Sequence, residues 1–288
     1  MFLSVIIPTF KRRQSLSNCL RHLDPKVQNV ATNLFEVIVT DDAAGNKPPE
    51  PLEENYSWVR LIAGPQKGPA CNRNNGAKSA SGEWLLFLDD DCVPQPLFLT
   101  AYLEAIAKHP DCLVFEGSTL SERPRTRMDE EAPINEKGGY LWSCNFLIKR
   151  KLFQEMDGFC ELYPYACMED VDFREQLKER KIKFLFVPKA SVIHPWRPLE
   201  PEDKLLKLLL VSHAIFFKRF PHLRPSLIET CRTILREWIV SFVFEGLRVE
   251  FRGFWRSLAR QMTLTKYPFL LDQSHTGNIP ERERAAEK

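Results

Sequence analysis

The sequence predicts an α/β fold: a mostly parallel sheet with helices on both faces, followed by amphipathic helices at the C-terminal end. Three observations carry that expectation. Short apolar runs alternate with stretches of helical periodicity over the first half of the chain. Polar residues recur just past the apolar runs, at Thr9, at Asp41 and Asp42, and at Asp89, Asp90 and Asp91, and open α/β sheets bind ligands beyond the carboxyl ends of their strands. The apolar run Leu85, Leu86, Phe87, Leu88 stops abruptly at three carboxylates.

Residues 3–7 read as a buried strand ended by Pro8, and residues 12–23 place apolar side chains at helical spacing. A second strand covers 35–39 and closes at Asp41 and Asp42; a third covers 59–63 before Gly64 and Pro65. A helix over 69–80 is stopped by Ser81 and Gly82, a fourth strand runs over 85–88, and a helix follows over 96–108. Residues 113–116 are strand-like. The polar stretch 118–138 reads as a mobile loop over the site or as a disordered insertion. Further on come the stretch 140–149, with no element assigned to it, a helix over 151–156, a helix opened by residues 168–172 and reaching about Arg180, and strands over 184–187 and 190–194.

The bulk properties narrow the function classes. The chain of 288 residues is 44% hydrophobic and 27% charged, enough for one large α/β domain with a helical appendage. Its net charge of +2 offers no global field for nucleic acid. Eight cysteines lack zinc-site spacing and any Cys-x-x-Cys pair, and read as reduced thiols of a cytoplasmic protein. Residues 1–5 look like a first strand and not a signal peptide, and no uninterrupted apolar stretch reaches the ~18 residues of a spanning helix.

The organisation expected is an α/β domain over 1–200, an amphipathic helical region over 201–273 and a disordered tail over 274–288. Between Pro201 and Arg260 eleven Lys and Arg stand against six acids, interleaved with Trp238, Phe242, Phe244, Phe251, Phe254 and Trp255. Such a stretch either lies in a membrane interface or packs as a helical subdomain with its arginines in water.

The acidic triplet has two readings. Alternate strand residues share a side, so Asp89 and Asp91 would converge on a divalent cation, Mg²⁺ or Mn²⁺, which takes hard oxygen ligands. The other reading is a solvated acidic turn.

Taken together, six segments in order resemble the family 2 glycosyltransferases, which have the nucleotide-sugar-binding GT-A fold. They are Val5 to Phe10; Val37 to Asp42; Gly68 to Gly76 with its Arg73-Asn74 pair; Phe87 to Asp91; Gly158-Phe159 preceding Glu169-Asp170; and His194 after a strand. The resemblance covers about residues 2–195. It implies transfer of a sugar from a nucleoside diphosphate, UDP-sugars being the commonest donors, to a glycan or lipid-linked acceptor, with a membrane surface as a further partner. The Gln-x-x-Arg-Trp signature of processive members is missing after Asp170, which favours transfer of one sugar.

By the same resemblance, Asp91 is a metal ligand, Asp89 binds metal or ribose, His194 supplies a late ligand, and Asp90 is a neighbour in the donor site. Asp41 meets base or ribose, with Pro8 and Thr9 lining its pocket, and Arg73 faces base or diphosphate. Asp170 is the general base of an inverting displacement, with Asp172 its rival. The plain alternatives are a helix-surface salt bridge for Arg73, a helix cap for Glu169 and Asp170, and a strand cap for His194. Tyr140, Trp142 and Asn145 either contact sugars or pack in the core. Two other functions stay in view: a sugar-phosphate nucleotidyltransferase, and a non-catalytic nucleotide-sugar-binding scaffold.

Overall fold

Strand β1 (Leu3–Thr9) lies inside an eight-stranded sheet, with β2 (Phe35–Asp41) and β4 (Trp84–Leu88) parallel on its two sides and β3 (Val59–Ala63) parallel beyond β2. The computed structural model describes residues 2–43, 52, 56–199 and 202–226, together with 228–229, 232 and 235–236. The rest of the sheet is mixed. Strand β8 (Asn145–Lys149) runs antiparallel to both β4 and β6 (Val114–Ser121), β9 (Leu185–His194) is parallel to β6, and the short β5 (Val93–Pro94) closes the edge against β9. The parallel expectation holds for β1 to β4 and β6 with β9, and gives way at β8 and at β5, which pairs antiparallel with β9.

Strand β4, Trp84 to Leu88, is apolar and buried throughout because both faces of the sheet are covered. Period-two alternation sends Leu3, Val5 and Ile7 of β1 to one core, with Leu86 and Leu88 of β4. That core is closed by α1 (Arg13–His22) and α4 (Phe98–Lys108) through Leu16, Cys19, Leu20, Phe98 and Tyr102. Ile6, Leu85 and Phe87 point to the other, closed by α3 (Pro69–Ser79), α5 (Arg150–Glu155) and α6 (Glu169–Glu179). Phe87, Phe146, Phe153, Phe159 and Phe173 pack there, with paired ring centroids 5.0–6.0 Å apart. Each such pair contributes about 0.5–1.5 kcal/mol beyond its buried area. A four-residue helix, α2 (Pro25–Gln28), is capped by Asp24, whose side chain accepts from Lys26 N.

Two sequence expectations change here. Strand β6 continues through Ser121, and β9 is one strand and not two, its register with β6 shifting between Gly117 and Ser118. The stretch read as a mobile loop or insertion is tied down instead: Thr119 and Asn135 exchange both backbone hydrogen bonds at 2.9 Å. Buried Glu116 gathers Asn135 Nδ2, Leu141 N and Gly139 N.

The chain divides into two compact units, one comprising residues 1–124 and 132–196 and containing the whole sheet, the other residues 125–131 and 197–288. In the second, β7 (Glu130–Glu131) pairs antiparallel with β10 (Arg197–Pro198), and Arg127 grips Asp129 through two nitrogens at 2.8 Å. Helix α7 (Glu202–Arg219) follows. No helix among the described residues is long and apolar enough to cross a membrane. The aromatic residues expected in the amphipathic region and the tail 274–288 lie outside the described residues.

Candidate active site

Helix α3 organises the rim of the sheet. Gly68 opens it at φ +93°, and a Cβ there would lie 2.7 Å from Pro164 O. Pro69 follows at the first helical position, where its missing N–H costs nothing. The helix then presents three consecutive buried polar side chains. Asn72 fastens the end of β2, its Nδ2 donating to Thr40 O at 2.9 Å and its Oδ1 accepting from Thr40 Oγ1 at 2.6 Å, and its Nδ2 reaches Thr9 O of β1 at 3.5 Å. Asn74 exchanges bonds of 2.9 Å with the backbone of Phe159 in both directions, which sets Gly158-Phe159 into the core.

Between them lies Arg73, only 3% exposed. Its Nη2 donates to Asp89 Oδ1 at 2.8 Å and its Nη1 to Glu169 Oε1 at 2.9 Å. One guanidinium therefore joins the end of β4 to the start of α6. Burial opposes its charge, yet Asp89 and Glu169 hold it protonated more firmly than usual. Arg73 is thus a buried double bridge and not a helix-surface salt bridge.

The three carboxylates after β4 separate to different partners. Asp89 is taken by Arg73. Asp90 turns inward: its Oδ2 accepts from Thr9 Oγ1 at 2.7 Å, and burial pushes its pKa up to about 6. Asp91 lies between two basic groups, its Oδ2 accepting from Arg12 Nη1 at 3.1 Å and its Oδ1 standing 3.4 Å from His194 Nε2. Arg12 also reaches Asp90 Oδ1 at 3.2 Å. Asp91 approaches His194, while Asp89 is held by Arg73.

His194 is buried, and its Nδ1 lies 2.8 Å from Pro195 O. A carbonyl only accepts, so Nδ1 carries the proton. In the neutral ring Nε2 then offers a lone pair toward a carboxylate oxygen. Two lone-pair atoms facing one another in a buried place call for a proton or a cation between them, and oxygen plus imidazole suits Mn²⁺. Cys92 brings its sulfur within 4.8 Å of the same two ligand atoms. Its thiol is held well above the usual range by hydrogen bonding to Cys144 and by burial, and so stays protonated.

The other predicted residues fall on the same rim. Asp42 N donates to Thr9 O at 3.0 Å. Asp41, half-buried, accepts from Ala43 N at 2.9 Å, and Asp42 accepts from Gln66 N at 3.0 Å while burial raises its pKa. Pro8 is partly exposed beside them.

At α6 the cap position is Met168, at φ 72° and without a side-chain cap, so Glu169 and Asp170 are not placed there as caps. Asp170 accepts from Val171 N at 2.8 Å and Ser143 N at 3.3 Å, and burial lifts its pKa. Burial and the adjacent Asp170 charge push Glu169 up to about 7, against the pull of Arg73. Asp172 faces the interior, bonded to Tyr163 Oη at 2.9 Å and Gln176 Nε2 at 2.6 Å.

Asn145 is a core residue. It donates to Ser118 O and Ala190 O and accepts from Tyr102 Oη. Tyr140 is 46% exposed and stacks on Trp142 at 5.2 Å, next to Ser143. Sequence reasoning missed Arg12 and the pairing of Glu169. The position of Arg12, in the turn that carries Thr9, was the available signal.

A parallel β1–β4 block with hydroxyl, carboxylate and guanidinium groups gathered past its strand ends defines the class: an α/β protein whose polar groups lie where open α/β sheets bind ligands. Residues 4–158 match the model described as Glycosyl transferase family 2, and the chain belongs to that family. It is 30% identical over 187 residues to an uncharacterized glycosyltransferase of Haemophilus influenzae, covering 59% of this chain and 60% of that protein. It is also 30% identical over 214 residues to the glycosyltransferase AglE of Haloferax volcanii, covering 68% of each. The solved Staphylococcus aureus TarS fragment 1–349 superposes with a TM-score of 0.55 at 19% identity, over 96% of this chain and 92% of that one. The shared fold is GT-A.

Proposed function

We propose that this chain moves a single sugar from a nucleoside-diphosphate sugar to an acceptor hydroxyl with inversion at the sugar carbon, and that it works with a divalent cation, Mn²⁺ or Mg²⁺. The facing pair of Asp91 Oδ1 and His194 Nε2, 3.4 Å apart, carries the reading. These two residues would hold the ion. When bound, the ion neutralises charge developing on the departing diphosphate. TarS has been solved with UDP-GlcNAc, and that likeness supports a UDP-sugar as donor.

The chain's own groups divide the remaining work. Asp170 takes the proton from the attacking hydroxyl. Backbone N–H groups of Ser143 and Val171 aim its carboxylate. Arg73 fixes the spacing between the donor-side Asp89 and the start of α6. Asp90, braced by Thr9, stiffens the turn that carries Asp91. Asp41, with Pro8 and Thr9, meets the base or ribose. The stacked Tyr140 and Trp142 offer a flat apolar face for a sugar ring, and the buried Trp142 Nε1 has no acceptor among the described residues, which a sugar hydroxyl would supply. The acceptor is a glycan or a lipid-linked glycan, met on the inner face of a membrane with the C-terminal region as the contact.

The test is a thermal-shift panel of nucleotide sugars with and without Mn²⁺, followed by assay of nucleoside diphosphate release. A ligand bound by the folded state raises the melting temperature. A shift that needs Mn²⁺ and disappears in Asp91→Ala, with UDP released on turnover, is the expected result. A shift indifferent to Mn²⁺, exchange of pyrophosphate, or binding without turnover in the presence of acceptor overturns the proposal.

A further inference from the structure

Two arginines sit on the acidic rim, and they differ in kind. Arg73 is enclosed and held by two carboxylates at 2.8 and 2.9 Å. Arg12 is held by longer contacts, 3.2 Å to Asp90 and 3.1 Å to Asp91, and 46% of its side chain is open to solvent. It precedes α1 with non-helical backbone angles, φ −125° and ψ 46°. A half-exposed ion pair of this sort is weak and easily exchanged.

We propose that Arg12 is a displaceable counter-cation: it shields Asp90 and Asp91 while the site lacks a metal, leaves them when a divalent cation binds at Asp91 and His194, and then pairs with the donor's diphosphate. This rests on the metal reading given above. Electrostatics drives the exchange. Two carboxylates facing one guanidinium leave a surplus of negative charge, which attracts a divalent cation. Once that cation arrives, Arg12 becomes a like charge within a few ångströms of it, on the other oxygen of the same Asp91. The diphosphate restores a negative partner, and the planar guanidinium fork matches phosphate oxygens. Asp89 undergoes no such exchange, because Arg73 has no solvent to move into.

The exchange predicts opposite signs for two affinities, which a purely structural role would not produce. Mn²⁺ binding alone is measured by electron paramagnetic resonance, and UDP binding in the presence of saturating Mn²⁺ by calorimetry. Both are run on full-length wild type, Arg12→Ala and Arg12→Lys after their melting curves are shown to match. Arg12→Ala should bind Mn²⁺ alone about 5-fold more tightly, since a weak competing ion pair is gone. It should bind UDP with Mn²⁺ about 10-fold more weakly, through loss of a charge-assisted bond. Arg12→Lys should move both values back toward wild type. If wild type binds Mn²⁺ and Arg12→Ala leaves either affinity unchanged, or lowers both, Arg12 is not the exchanging cation. If wild type binds no Mn²⁺ even with UDP, the metal reading fails and this proposal with it.

Discussion

Asp170 and Asp172 stand two residues apart in the first turn of α6, and exchanging each for asparagine separates catalysis from architecture. Asp172 is fully buried and accepts two hydrogen bonds, 2.9 Å from Tyr163 Oη and 2.6 Å from Gln176 Nε2. Asparagine keeps the volume but has one acceptor oxygen, so at least one of those donors faces an NH₂ group. Hydrogen bonds to a charged group are worth about 1.5–3 kcal/mol. In a unit of this size each kcal/mol lowers the melting temperature by roughly 2–4 °C, so Asp172→Asn should melt about 3–12 °C lower. It should still turn over below that temperature. Asp170 is different: burial already disfavours its ionised form, so neutralising it leaves the melting temperature nearly unchanged. Removing a general base should cost about 10²–10⁴-fold in turnover. Melting curves and UDP release at saturating donor measure the two effects. The reasoning fails if Asp172→Asn melts like wild type and is inactive, or if Asp170→Asn keeps most of its turnover.

Three further perturbations test the electrostatics and packing around the site. Glu169, raised to about 7 from 4.5, binds its proton more tightly folded than unfolded; stability should therefore decline as pH rises from 4.5 to about 7, and Glu169→Gln should flatten that decline in melting curves taken across the window. For Glu36 burial pulls upward, but hydrogen bonds from Ser81 and Ser4 and the charge of Arg60 win and hold it below 4.5. Its contribution is present above 4.5 and lost as pH falls through its folded value, so Glu36→Gln should cost about 1 kcal/mol at neutral pH and less in acid, by denaturant titration. In Gly117→Ala the new Cβ would lie 2.2 Å from Ala190 O and 2.3 Å from Asn145 Nδ2; prying β6 from β9 should cost more than about 4 kcal/mol, seen as a large drop in melting temperature.

Much of the first unit can be read along the chain because its signals are local. The apolar runs at 35–39 and 59–63 became β2 and β3, and the latter kept both its bounds. The acidic triplet marked the rim because three carboxylates after a buried strand form a contiguous signal. What stayed hidden was pairing between distant segments. Nothing near Asp89 in the chain says that Arg73 will take it, and the tie between Thr119 and Asn135 joins a strand to a stretch whose composition reads as loop. The division of Tyr140, Trp142 and Asn145 was equally illegible: three polar or amphipathic residues in one short segment end up exposed, half-buried and locked in the core. Burial of that kind is decided by β6, β9 and Tyr102 of α4, which the segment meets only in the fold.

The pattern of ionisation at the rim argues for function over stability. Asp42, Asp90, Glu169 and Asp170 all have their pKa values raised, each chiefly by burial. A fold selected for stability alone would pair these groups or replace them with apolar residues, since a half-compensated buried charge costs more than none. Among the described residues Arg12 pairs with Asp90 and Asp91, and Arg73 pairs with Asp89 and Glu169 and acts on Asp170, so five carboxylates face two guanidiniums. The surplus is negative and lies where the parallel strands end. Two of the acids, Glu169 and Asp170, are brought from the far side of the sequence by a helix whose cap position sits in left-handed backbone, a conformation that a methionine adopts only at a cost. Repulsion and strain tolerated together at one rim are what a site poised for a cation and a proton would require.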